Sequence, residues 1–297
     1  MIPRHTAATA LLVCIGIIFF CAAAIALFTF FVAQQASNEP GQYPPQVTLS
    51  PEKLTARAAI IYDVIEKRTL FSKNASEPLP LASLTKLMAA EAVLAMHPAD
   101  TLVVITSEAL RSEGDSGLRA GEVWSLRDLL MLGLVASSND AMAAAAGSAG
   151  NVVEAMNAVA AHLGLTETYF LNPTGLDLDP ETSGAYGSAH DVAILAADFL
   201  KNHGEFFEAT AKETISIHIG ERTIEATSTA APLLSTPGFI GAKTGYTELA
   251  GGNLVAVFDI SVGHPLIAVV LGSTHEERFE DIKALIFAAH EAVLQQP

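Results

Sequence analysis

From Thr6 to Ala33 the chain has no charged side chain, a run of 28 residues in a protein of 297. As a helix such a run is about 42 Å long, at about 1.5 Å per residue, enough to cross a bilayer core with some tilt. A soluble core helix rarely runs this long without polar ends. A cleavable signal peptide has a shorter apolar region followed by a small-residue site. Here cutting after the alanines at 22–26 would expose Leu27-Phe28-Thr29-Phe30-Phe31. The length therefore favours an uncleaved transmembrane anchor over a signal peptide for residues 1–36. Arg4 precedes the run, and the next basic residue after it is Lys53, behind Glu39. The positive-inside bias puts the N-terminus in the cytoplasm and the remainder outside the membrane. Residues 37–54, with Pro40, Gly41, Pro44 and Pro45 and no periodicity, read as an extracytoplasmic tether.

Residues 55–297 read as the working domain. The formal net charge is -16, which argues against nucleic-acid partners, because phosphate neutralisation needs Lys and Arg. Both cysteines, Cys14 and Cys21, lie in the apolar run, so the domain has no disulfide framework or thiolate metal site. Ala58–Val64 reads as a buried strand, with Thr69–Phe71 as its hairpin partner across Glu66-Lys67-Arg68. Helices are predicted from near Ser83 to His97-Pro98, after the cap Ser125, over Ala141–Ala146 and Val152–Leu163, and over Asp191–Leu200. Thr214–Ile219, Gly252–Ile260 and Leu266–Leu271 read as strands, and Glu276–Leu294 as a closing amphipathic helix. This order predicts an antiparallel sheet built from both chain ends, with the helical stretch inserted.

Three short patterns occur in sequence: Ser83-Leu84-Thr85-Lys86, Ser137-Ser138-Asn139 and Lys243-Thr244-Gly245. On a helix, residues i and i+3 share a face, so Lys86 can reach the Ser83 hydroxyl. That hydroxyl attacks well only when a base takes its proton, and an amine is a base only when neutral. Burial and a second cation, Lys243, both disfavour the ammonium form. Ser137 can pass a proton from Lys86 towards a leaving amine. Asn139 can hold Lys86 and a substrate amide. Thr244 can donate to a substrate carboxylate, and Gly245 lets an extended substrate approach the backbone. Ordinary alternatives exist: Ser83 as a helix cap, Ser137 and Asn139 as caps for the helix at Ala141, and Lys243 as a solvated charge.

Other matches are weaker. Ser50-Pro51-Glu52-Lys53 repeats the first pattern, and Ser72-Lys73-Asn74 the second, both in unsuitable settings. Gly114-Asp115-Ser116-Gly117 resembles a trypsin-like nucleophile segment, but the chain lacks that all-β pattern. His275-Glu276 begins a zinc motif whose second histidine position is Phe279. No cofactor and no metal are expected.

At these residues the chain resembles the low-molecular-mass penicillin-binding D-alanyl-D-alanine carboxypeptidases, a serine peptidase family. Pro80 to Met88, Leu126–Leu130 leading to Ser137–Ala141, Asn172-Pro173-Thr174-Gly175-Leu176, and Lys243-Thr244-Gly245-Tyr246-Thr247 are each similar to a family segment. The resemblance implies an α+β, β-lactamase/transpeptidase-like fold: a five-stranded antiparallel sheet flanked by helices, plus a helical subdomain. It implies attack of Ser83 on the bond between two D-alanines of a peptidoglycan stem peptide, inhibition by β-lactams, and an oxyanion held by the Ser83 and Tyr246 backbone N–H groups. It also implies an Arg that holds the substrate's terminal carboxylate, matched here by Arg278. Many members have a second, C-terminal domain and a C-terminal anchor; the N-terminal span would take that anchor's place. A DD-endopeptidase would use the same residues. A β-lactamase would want a Glu for deacylation, where the Asn172–Asp179 loop has Asp177 and Asp179. A non-catalytic β-lactam sensor fits the complete triple poorly.

Overall fold

The computed structural model describes residues 46–294. The expected membrane anchor, and the first part of the expected tether, lie outside these residues. Among the described residues no helix is long and apolar enough to cross a membrane. Residues 46–54, expected to belong to a free tether, pack on the domain. Val47 N–H donates to Leu70 O at 3.0 Å, and Val47 and Leu54 are buried. Asp281 fixes the following turn, accepting from the N–H groups of Thr55 and Ala56 at 2.9 Å each.

In chain order the strands are β1 Ala58–Asp63, β2 Arg68–Lys73, β3 Leu79–Pro80, β4 Leu102–Val104, β5 Val123–Ser125, β6 Tyr169–Phe170, β7 Ala185–Gly187, β8 Thr214–Ile219, β9 Arg222–Thr227, β10 Phe239–Thr247, β11 Gly251–Asp259 and β12 Pro265–Ser273. The α-helices are α1 Thr85–Met96, α2 Leu126–Val135, α3 Asn139–Gly147, α4 Val152–Leu163, α5 Ala189–Thr210 and α6 Glu277–Leu294. The main sheet is antiparallel with order β10-β11-β12-β1-β2, so both chain ends build it, as expected.

Its three inner strands, β11, β12 and β1, are apolar on both faces. Ile60, Val255, Val257, Ile267 and Val269 face the core shared with α1 to α5. Ile61, Leu254, Ala256, Phe258, Ala268 and Val270 face the core covered by α6 and by Val47 and Leu54. Burial on both sides is why these strands read as continuous apolar runs instead of alternating ones.

Three elements differ from the sequence reading. Thr214–Ile219 is a strand, but it pairs with β9 in a separate hairpin. Only Ile217 of β8 is buried, so a half-buried alternation marked a peripheral hairpin and not a sheet member. The fifth strand of the sheet is instead β10, which contains Lys243-Thr244-Gly245. Its polar and glycine residues hid it from a hydrophobicity pattern. Helix α5 continues past Leu200 through a kink at His203, burying Phe206 and Phe207.

Candidate active site

Strand β10 is an edge strand of the main sheet. Its Gly245 lies against the turn that begins the Ser83 segment. A Cβ at Gly245 would stand 3.0 Å from Leu81 O and 3.1 Å from Ser83 N. Ser83 lies in the 3-10 turn Ala82–Leu84, just before α1, and its hydroxyl caps no helix. Ala82 adopts φ +49 and Ser137 φ +60. Left-handed geometry at non-glycine residues costs about 1–2 kcal/mol each and persists where surrounding contacts over-determine it.

Lys86, the second residue of α1, is fully buried. Its Nζ lies 2.6 Å from Ser83 Oγ, 2.7 Å from Asn139 Oδ1 and 3.0 Å from Thr174 O. Two of these partners, an amide oxygen and a backbone carbonyl, can only accept. A neutral amine has two N–H bonds and one lone pair. The two obligate acceptors take both N–H bonds, which leaves the lone pair for the one partner that can donate, the Ser83 hydroxyl. Burial lowers the Lys86 pKa from 10.5 to about 7, so this neutral form is well populated near neutral pH.

The second pattern follows from helix capping. Ser138, not its neighbours, caps α3, accepting from Ala141 N–H at 3.0 Å and donating to the Asp140 carboxylate. Ser137 and Asn139 are left free for other work. Asn139 Nδ2 donates to Glu113 O at 2.9 Å, so the amide is pinned with its oxygen on Lys86. The expectation that it also holds a substrate amide therefore requires that donor to leave Glu113.

Lys243, also buried, donates to Ser137 Oγ at 2.8 Å and to Thr244 O at 2.7 Å. Its pKa is held well below the ordinary lysine value, first by burial and then by the charges of Lys86 and Arg278. The two lysines thus address different hydroxyls, Lys86 that of Ser83 and Lys243 that of Ser137. Thr244 Oγ1 donates to Thr229 Oγ1 at 2.7 Å. Tyr246 is 42% exposed, and its ring meets His275 edge-on at 5.0 Å between centroids. Arg278 is only 5% exposed and donates through one terminal nitrogen to Gly245 O at 2.7 Å, while its Nε has no partner. It lies behind β10 and is no ordinary surface charge.

Thr174 and Asn172 take parts in the site that residue patterns did not assign. The Asn172 side chain accepts from Thr174 N–H and Gly175 N–H at 3.1 and 2.7 Å, and donates to Leu176 O at 2.8 Å. These bonds hold the loop so that the Thr174 carbonyl points at Lys86. Gly175, at φ +79, packs against the nucleophile turn so closely that a Cβ would lie 1.9 Å from Ala82 O. An Asn followed by Pro-Thr-Gly is a turn signal, but a backbone carbonyl has no residue signature. A groove of about 350 Å³, lined by Glu113, Leu176, Asp177, Tyr246, Thr247 and Glu248, adjoins these groups. A larger hollow of about 500 Å³ lies under β4 and α3 and holds no residue of the Ser83–Lys86, Ser137–Asn139 or Lys243–Gly245 patterns.

The residues 45–275 match the family model described as D-alanyl-D-alanine carboxypeptidase. The chain is 36% identical over 253 residues to D-alanyl-D-alanine carboxypeptidase DacF of Bacillus subtilis, covering 78% of this chain and 62% of that protein. It is 35% identical over 163 residues to a D-alanyl-D-alanine endopeptidase of Pseudomonas aeruginosa, covering 52% and 53%. Among solved structures, a penicillin-binding protein of Listeria monocytogenes with ampicillin bound superposes with TM-score 0.70 and 28% identity, over 82% of this chain and 99% of that one.

Proposed function

Because the chain belongs to the D-alanyl-D-alanine carboxypeptidase family, we propose that it removes the terminal D-alanine from peptidoglycan stem peptides through an acyl-enzyme on Ser83. The observation that carries this reading is the Lys86 amine, buried, 2.6 Å from Ser83 Oγ, with two obligate acceptors on its other side. Lys86 takes the hydroxyl proton as Ser83 Oγ bonds to the carbonyl carbon between the two D-alanines. The carbonyl oxygen becomes an oxyanion at the N–H groups of Ser83 and Tyr246; the packing of Gly245, the neighbour of Tyr246, against Ser83 N supports this assignment. The C–N bond then breaks. Ser137, which accepts from Lys243 Nζ at 2.8 Å, gives its proton to the leaving amine, and the proton that Lys86 holds replaces it. Water, deprotonated by the same lysine, attacks the ester and restores Ser83.

Substrate enters this reading as an extra strand on the open edge of β10, with its terminal carboxylate on the Thr244 hydroxyl and the guanidinium of Arg278. Arg278 must turn part of its donor set past Gly245 to do so, and its unpartnered Nε makes that inexpensive. β-Lactams acylate the same serine. The uncharged run Thr6–Ala33 supports attachment to the cytoplasmic membrane with the domain outside. Endopeptidase action, cutting a D-alanyl bond within a crosslink, is the second reading, favoured by the similarity to the Pseudomonas protein.

The test is covalent labelling by a fluorescent penicillin, followed by D-alanine release from a diacyl-lysyl-D-alanyl-D-alanine peptide. Labelling and release are expected for the unaltered protein, and Ser83→Ala is expected to abolish both. Labelling that persists in Ser83→Ala overturns the nucleophile. Labelling without release, with rapid turnover of penicillin, overturns the peptidase reading.

A further inference from the structure

Thr244 is 4% exposed, and the one partner of its hydroxyl among the described residues is the hydroxyl of Thr229, at 2.7 Å. Thr229 is outside every pattern in the sequence, and it is half-exposed where Thr244 is buried. Its backbone is fixed from two sides. Its N–H donates to Val135 O at 3.1 Å, two residues before Ser137. The preceding Ser228 is buried, donates to Thr210 O at 2.6 Å and accepts from Ala230 N–H at 3.1 Å. Thr210 Oγ1 in turn accepts from Ala242 N–H at 2.9 Å, beside Lys243. Thr229 is therefore held in register with both the Ser137 segment and the β10 segment, by bonds that do not use its own side chain.

A hydroxyl has one donor hydrogen and can also accept. In the unliganded arrangement the two hydroxyls share one bond, to which Thr244 can give its hydrogen. A carboxylate arriving at Thr244 needs that hydrogen. Thr244 can release it without loss only if Thr229 reverses its role and donates to Thr244 Oγ1. The pair then forms a chain, Thr229 O–H to Thr244 O–H to carboxylate. Each bond polarises the next, and the terminal one is to an anion. A β-branched side chain has few χ1 wells, so the partner hydroxyl also fixes the direction in which Thr244 points.

We propose that Thr229 is a positioning residue for the substrate's terminal carboxylate, acting through Thr244 by this reversal of hydrogen-bond direction. The proposal rests on the peptidase reading above, in which Thr244 meets that carboxylate.

Thr229→Val keeps the shape and removes the hydroxyl; Thr229→Ser keeps the hydroxyl. Each variant is compared with the unaltered protein on the acid-ended diacyl-lysyl-D-alanyl-D-alanine peptide and on the same peptide ending in a carboxamide. For Thr229→Val we expect KM on the acid-ended peptide to rise about tenfold, the upper scale of one hydrogen bond between neutral groups, with kcat within about threefold. The amide-ended peptide should change less than about twofold, and Thr229→Ser should restore the acid-ended KM. Equal losses on both peptides, no change on either, or failure of Ser to rescue overturns the proposal. If the unaltered protein is labelled by penicillin but cleaves neither peptide, the peptidase reading fails. The hydroxyl pair is then decided by labelling rates with penicillin and its methyl ester. A deficit of Thr229→Val confined to the free acid supports it, and equal rates overturn it.

Discussion

Replacing Asn139 with Asp puts a carboxylate where an amide oxygen now stands 2.7 Å from Lys86 Nζ, with almost no change of shape. At an effective dielectric of about 20 this charge attracts an ammonium by about 6 kcal/mol. The amide oxygen it replaces already favours the ammonium, and relaxation around the new charge screens part of the rest, so roughly half of that is offset. About 3 kcal/mol remains in favour of the protonated amine, which moves its titration upward by about two pH units. In the unaltered protein burial brings the Lys86 pKa down from 10.5 to about 7. The base form is the neutral amine, so acylation should increase as pH rises through about 7 and level off above it. In Asn139→Asp the same rise should appear about two pH units higher. Near neutral pH the neutral fraction falls from about half to about one in a hundred, so labelling slows roughly 50-fold and recovers in alkali. The assay is the second-order rate of fluorescent-penicillin labelling, measured from pH 5.5 to about 10.5, with the range set by the ordinary lysine titration. A rate that falls equally at every pH, with the rise left in place, would refute the assignment of Lys86 as the base.

Two further outcomes follow from individual contacts. Gly175→Ala forces a Cβ to within 1.9 Å of Ala82 O at a φ of +79; the nucleophile turn must shift, and penicillin labelling should fall by at least about a hundredfold, measured beside circular dichroism to verify folding. Glu91 on α1 is buried with one carboxylate oxygen unpartnered and His203 at 3.7 Å, and burial followed by the charge of Asp198 raises its pKa from 4.5 to about 7. The unfolded carboxylate ionises first, so folding loses stability as pH rises from about 4.5 through about 7 and gains nothing back above it. Glu91→Gln should therefore raise the melting temperature by a few degrees at pH 8, about 1–2 kcal/mol, and leave it unchanged at pH 4. An equal effect at both pH values in thermal unfolding would count against the buried charge.

Local chemistry was legible in the residues themselves. The i, i+3 spacing of Ser83 and Lys86 keeps the two groups one turn apart wherever the helix goes. Ser125 accepts from Asp128 N–H as its position before an apolar run predicts. The runs at Ala58, Gly252 and Leu266 are strands because residues that must be buried on both faces are apolar throughout. The second and third patterns could be recognised as segments, but their contacts span 53 and 106 residues, and no spacing rule reaches that far.

Tertiary structure decided the rest. It placed the Thr174 carbonyl on Lys86 from 88 residues away and set Thr229 beside Thr244. It made the polar segment around Lys243 the edge strand of the sheet, and it sent Thr214–Ile219 to a separate hairpin. The physical reason is the same in each case. Side-chain type governs what a residue prefers within a turn or two. Which backbone carbonyl faces a buried amine, and whether that amine loses its proton, depends on the packing of distant segments that remove it from water.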